Sequence, residues 1–206
     1  MAAAPGRPRR FSEEEEIRLL LDAATAVMRR NAYEAATVQD ILDEAGLSSR
    51  AFYRHFQSKD DLVRALLRRE AEAAARSIEG RVSAAGSPRE GLEEWLDALL
   101  GFAFDARRAR RVGMLRSEVG RKASGYPEEQ RYARELTMAP LVAVLGAGQR
   151  DGSFPRAVPE HDAMTIHAMT SDLWQSILDG HVSMTRQEAL DHLLRFALPA
   201  LGWSAR

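Results

Sequence analysis

The chain contains no cysteine, which excludes a disulfide framework, a thiolate metal site and thiol chemistry. Lysine is almost missing as well. Lys59 and Lys122 are the only two among 29 basic residues, an arginine and alanine bias that points to a GC-rich coding genome more than to function. No apolar run approaches the roughly 18 residues of a membrane span. The N-terminal MAAAPGRPRRF has no apolar segment of the signal-peptide kind, so neither export nor membrane insertion is expected and a cytoplasmic location is. An excess of charge is missing too: the net charge is −1, and any attraction to nucleic acid must therefore be local. Period-two alternation is nowhere sustained, which argues against a sheet.

Motifs of catalysis are absent by the same reading. There is no phosphate loop, zinc-protease motif or nucleophile elbow, so no catalytic residue and no cofactor is assigned. His161, His167, His181 and His192 lack the i, i+4 spacing of a helical metal pair, and no metal is expected. Gly146 and Gly148 follow no strand and lack a third glycine, so they read as helix terminators and not as a dinucleotide loop.

What is present is 206 residues, 45% of them hydrophobic, enough for one packed domain or two small ones. The most informative stretch is Thr37 to Lys59, TVQDILDEAGLSSRAFYRHFQSK. Thr37 and Asp40 have capping-box spacing, Val38, Ile41, Leu42 and Ala45 recur at helical spacing, and Gly46 stands where a helix ends in a left-handed residue. Ser48 can cap a second helix whose Phe52 and Phe56 share one face. The other face holds Ser49, Arg50, Tyr53 and Arg54, with no acid between Gly46 and Lys59. Two short helices about a tight glycine turn, the second with an unneutralised basic and hydroxyl-rich face, form a helix-turn-helix pattern suited to a DNA duplex.

Around this stretch the chain reads as helices throughout. Residues 1–11 form a Pro, Gly and Arg rich arm with Arg7, Arg9 and Arg10. Ser12 and Glu15 cap a helix striped by Ile17, Leu20, Leu21, Ala24, Val27 and Met28, expected to end near Asn31. Ser58 and Asp61 start a long helix that outlasts a three-helix bundle. The predicted division is a helix-turn-helix domain over 12–58, a connecting helix over 59–82 and a C-terminal domain over 83–206. Ser87, Pro88 and Glu90 open the next helix. A shorter one is expected around Val112 to Val119, another from Pro127 through Leu145, and two apolar ones over Val158 to Asp179 and Thr185 to Leu198. The fold class is all-α, with about nine helices.

Thr37, Ile41, Ala45, Gly46, Leu47, Ser48, Phe52, Tyr53, His55, Phe56, Ser58 and Lys59 resemble, in order, the signature of the TetR-like transcriptional regulators. That resemblance implies a homodimer joined through its last two helices and a double-stranded DNA operator as partner. It also implies a C-terminal domain whose small-molecule effector usually releases the DNA. Carried over by position, Thr37, Ser48, Tyr53, His55 and Lys59 would hold phosphates, and Gln39, Ser49, Arg50 and Ala51 would face bases. The chemistry agrees, since hydroxyls and cations position a protein on phosphates while arginine and glutamine pair bidentately with guanine and adenine. Trp95, Leu99, Phe102, Met114, Tyr126, Met138 and Trp174 are the residues expected to line an effector pocket, although core packing explains each singly. An all-α enzyme or carrier, and a dimeric module that has lost DNA binding, are the alternative readings.

Overall fold

The computed structural model describes residues 11–105 and 125–204, the side chains of 32–34 excepted. Among them are eight helices and no strand. In chain order they are α1 (Glu13–Ala35), α2 (Val38–Ala45), α3 (Ser49–His55), α4 (Lys59–Ala84), α5 (Pro88–Phe104), α6 (Tyr126–Asp151), α7 (Pro159–Leu178) and α8 (Arg186–Ala200).

Their starts follow from capping chemistry. Ser12 and Glu15 exchange side-chain and backbone hydrogen bonds, as do Thr37 with Asp40 and Thr185 with Glu188. Ser58 and Ser87 accept from the backbone N–H groups of Asp61 and Glu90. Each such cap satisfies amide donors that a helix start leaves orphaned, worth about 1 kcal/mol.

Two compact units divide the described residues, 11–66 with 125–126 and 67–105 with 127–204. In the first, α1 packs on α2 and α3. Leu20, Ala24, Val27, Met28, Ile41, Phe52, Leu62 and Leu66 are almost wholly removed from water, each large side chain contributing about 1.5–3 kcal/mol of burial. In the second, α5 packs on α7 and α8. Its core gathers Ile78, Leu92, Trp95, Leu96, Leu100, Leu141, Leu145, Phe154, Leu190 and Leu193. The Trp95 indole N–H donates to the Thr137 carbonyl at 2.8 Å, which satisfies its polar atom inside that core.

Three sequence expectations change. α1 continues past Asn31 to Ala35. α6 continues past Leu145 to Asp151 and takes Gly146 and Gly148 into its last turns. Those glycines are not terminators: a Cβ at Gly148 would stand 2.1 Å from the Phe154 ring, so this position accommodates a packed phenyl ring. Gly152, at φ +80°, is the residue that leaves the helix. The short helix expected around Val112 to Val119, and all but Phe11 of the arm expected over residues 1–11, lie outside the described residues.

Candidate nucleic-acid interface

The α2–α3 junction is built by local hydrogen bonds. Thr37 accepts from the Asp40 N–H at 3.1 Å and its hydroxyl donates to the Asp40 carboxylate at 2.7 Å. Those bonds hold the Asp40 carboxyl below its ordinary pKa, the Thr37 hydroxyl contributing most and the Thr37 backbone N–H next. Gly46 closes α2 at φ 63°, ψ 33°, and its N–H returns to the Leu42 carbonyl. A residue with a Cβ would be strained there although nothing stands within 4 Å. Ser48 then opens α3 by accepting from the Ala51 N–H at 3.3 Å.

This geometry separates the two faces of α3. Phe52 and Phe56 turn inward with ring centroids 5.8 Å apart. Ser49, Arg50 and Tyr53 are exposed, Tyr53 with 63% of its surface free although its ring meets Phe52 edge-on. Arg50 has no ion-pair or hydrogen-bond partner among the described residues. Thr37, Gln39 and Ser48 are exposed beside them, with the Gln39 amide donating to Asp43 at 2.7 Å.

The structure corrects two sequence-predicted roles. Ala51 is only 4% exposed; it sits on the inward side of α3 with Phe52, so it packs and does not face bases. His55 is not free for a phosphate, because its side chain is 7% exposed and bonded to Glu16. Lys59 opens α4 half-buried, its ammonium donating to the Ala36 carbonyl at 2.8 Å, and so ties the start of α4 to the residue after α1.

Glu16 is the residue that sequence reading missed. It is 6% exposed, and its Oε2 accepts from Arg54 Nη1 at 2.6 Å and from His55 Nε2 at 2.7 Å. The carboxyl is held below its ordinary pKa, chiefly by the His55 hydrogen bond; burial opposes this, and the Arg54 hydrogen bond and charge add to the lowering. An ionised carboxylate only accepts, so His55 Nε2 carries the proton. The signal was there. Glu16 lies four residues before Leu20, in register with the apolar stripe of α1, where a carboxylate needs a partner.

Among the described residues, the expected effector set is spread over both units. Trp95 belongs to the second unit's core, with Leu99, Phe102 and Met138 packed against it. Trp174 is buried, Tyr126 is buried in the first unit, and Met114 is outside the described residues. A cleft of about 250 Å³ opens in the second unit between Ile78 and Arg81 of α4, Phe102 of α5 and Arg186 of α8. Phe102 is the member of the expected set that borders it.

Residues 20–66 match the sequence pattern described as bacterial regulatory proteins, tetR family. The chain is 32% identical over 150 residues to the HTH-type transcriptional repressor KstR2 of Rhodococcus jostii, an alignment spanning 66% of each protein. The chain belongs to the TetR-like family of transcriptional regulators. The fold of this TetR-like protein also matches solved structures across most of its length. A transcriptional regulator of Pseudomonas aeruginosa PAO1 superposes with a TM-score of 0.76 at 20% identity, over 94% of this chain and 93% of that one. The transcriptional regulator FadR of Bacillus subtilis, in complex with stearoyl-CoA, gives 0.71 at 15% identity over 89% and 98%. At such identities the likeness is one of fold. No helix among the described residues of this TetR-like chain is long and apolar enough to cross a membrane.

Proposed function

We propose that this protein is a homodimeric, cytoplasmic DNA-binding repressor, released from its operator by a small-molecule effector bound in the second unit. One observation carries the DNA-binding reading: α3 turns Phe52 and Phe56 into the core and leaves Ser49, Arg50 and Tyr53 in water. An isolated arginine on such a face can reach a guanine edge, and the flanking hydroxyls can meet phosphates. Base reading then falls to Ser49, Arg50 and Gln39. Phosphate positioning falls to Thr37, Ser48, Tyr53 and Lys59.

Dimerisation through α7 and α8 is supported by Met164 and Phe196, which leave 48% and 55% of their surfaces exposed on those helices. Large exposed apolar side chains on neighbouring helices are what a partner protomer would cover. The cleft beside Phe102 is a starting place for the effector. Because FadR of Bacillus subtilis holds stearoyl-CoA, acyl-CoA thioesters are the first compounds to assay. The test is retardation of the intergenic DNA beside the gene: a palindromic duplex should be shifted by the protein, and an effector should reverse the shift. Equal retardation of a scrambled duplex of the same length removes the reading.

A further inference from the structure

The second half of the helix-turn-helix lacks acids, and its charge balance is supplied from far away in sequence. Between Gly46 and Lys59 no acidic residue occurs, yet Arg54 is met by a carboxylate 38 residues upstream and His55 by the same oxygen. Glu13, Glu14 and Glu15 are exposed, and Glu16 alone of that run is buried. A carboxylate in this position is costly to leave without its partners, because an unpaired charge keeps its desolvation penalty and loses the attraction that offset it. A DNA phosphate approaching α3 must therefore compete with Glu16 for Arg54 and His55.

We propose that Glu16 is a positioning residue, which withholds Arg54 and His55 of the reading helix from phosphate contact and so sets the sequence-independent part of DNA affinity. The proposal rests on the DNA-binding function put forward above. Sequence-independent affinity grows with the number of cations that neutralise phosphates, whereas base discrimination comes from groups such as Arg50. Withholding the Arg54 guanidinium and the His55 N–H from the first set lowers binding to every duplex alike and leaves the second set intact. The ratio of operator to non-operator binding is unchanged by it, and the overall affinity is what Glu16 sets. Glu16 acts through Arg54 and His55 and touches no DNA, so it is a positioning residue.

The distinguishing measurement is the salt dependence of binding. The full chain is titrated with a duplex that the unaltered protein selects from a randomised pool, and with a scrambled duplex of equal length. Glu16→Gln keeps the shape and removes the charge. It should bind the selected and the scrambled duplex alike about threefold or more tightly, with a salt slope steeper by about one unit per protomer, and its preference for the selected duplex should be unchanged. A merely structural pin would not steepen that slope. The double variant Glu16→Gln with Arg54→Gln should return the slope to that of the unaltered protein. An unchanged slope in the single variant, or a steeper one that persists in the double, overturns the proposal. If Glu16→Gln does not fold, the double variant decides alone: a slope equal to the unaltered protein's supports the proposal, and a flatter one shows Arg54 on phosphate and overturns it. The unaltered protein's preference for the selected duplex is the separate check on DNA binding itself, and its absence would remove that function and this inference together.

Discussion

Arg186 grips Asp97 with both prongs of its guanidinium: Nε donates to Oδ1 at 2.6 Å and Nη2 to Oδ2 at 2.6 Å. The same carboxylate accepts from Arg81, which also pairs with Glu94. Asp97 on α5 thus joins α4 to the first residue of α8. Partial burial raises its pKa, but the hydrogen bonds and charges of Arg81 and Arg186 outweigh that and hold it below the ordinary value.

Asp97→Asn should therefore lower stability by about 1–3 kcal/mol, read as a reduced midpoint in urea. A midpoint unchanged by the substitution would show the pair to be solvated and nearly idle.

The pH dependence has a definite sign. Asp97, Glu16 and Asp40 all hold their protons more weakly folded than unfolded. The stability they add is complete above the unfolded carboxylate range, about pH 4. It is lost as pH falls through their depressed folded values. Denaturation midpoints measured from pH 7 down to pH 3 should drop, and the drop should be shallower in Asp97→Asn.

Gly148→Ala should destabilise by about 2–4 kcal/mol, although alanine for glycine in a helix interior ordinarily stabilises by about 1 kcal/mol. The reversal comes from Phe154, whose ring would lie 2.1 Å from the new Cβ. Adding Phe154→Leu should recover part of the loss, so the two changes should be less than additive in a thermal-unfolding cycle. Simple additivity would place the clash elsewhere.

On DNA, Arg50→Ala should relax preference at a few base positions, at about 1–3 kcal/mol each. Lys59→Ala should instead weaken all duplexes and flatten the salt slope by about one unit per protomer. Losing its bond to the Ala36 carbonyl adds a stability cost of about 1 kcal/mol. Footprints and salt titrations of the two variants that cannot be told apart would dissolve the division between base reading and phosphate positioning.

Phe196→Glu, alone or with Met164→Glu, changes side chains that the protomer leaves exposed. Helical content should be kept while sedimentation moves from dimer to monomer. Operator affinity should fall, since two linked reading heads bind far better than one. A variant that still sediments as a dimer would move the interface off α7 and α8.

Local physics was legible in the linear order of residues. Capping pairs, the left-handed Gly46, the inward Phe52 and Phe56 and the all-α class all follow from chemistry acting over three or four positions. For the same reason Ser49, Arg50 and Tyr53 could be placed on one exposed face before any fold was known. Tertiary structure decided what depends on residues distant in sequence. It brought Glu16 against Arg54 and His55, set Phe154 on Gly148 so that an apparent helix stop became helix, and took Ala51 out of the reading face. A charge's partner and a side chain's exposure are set by which helices pack together, and helical periodicity cannot report on atoms 38 residues away.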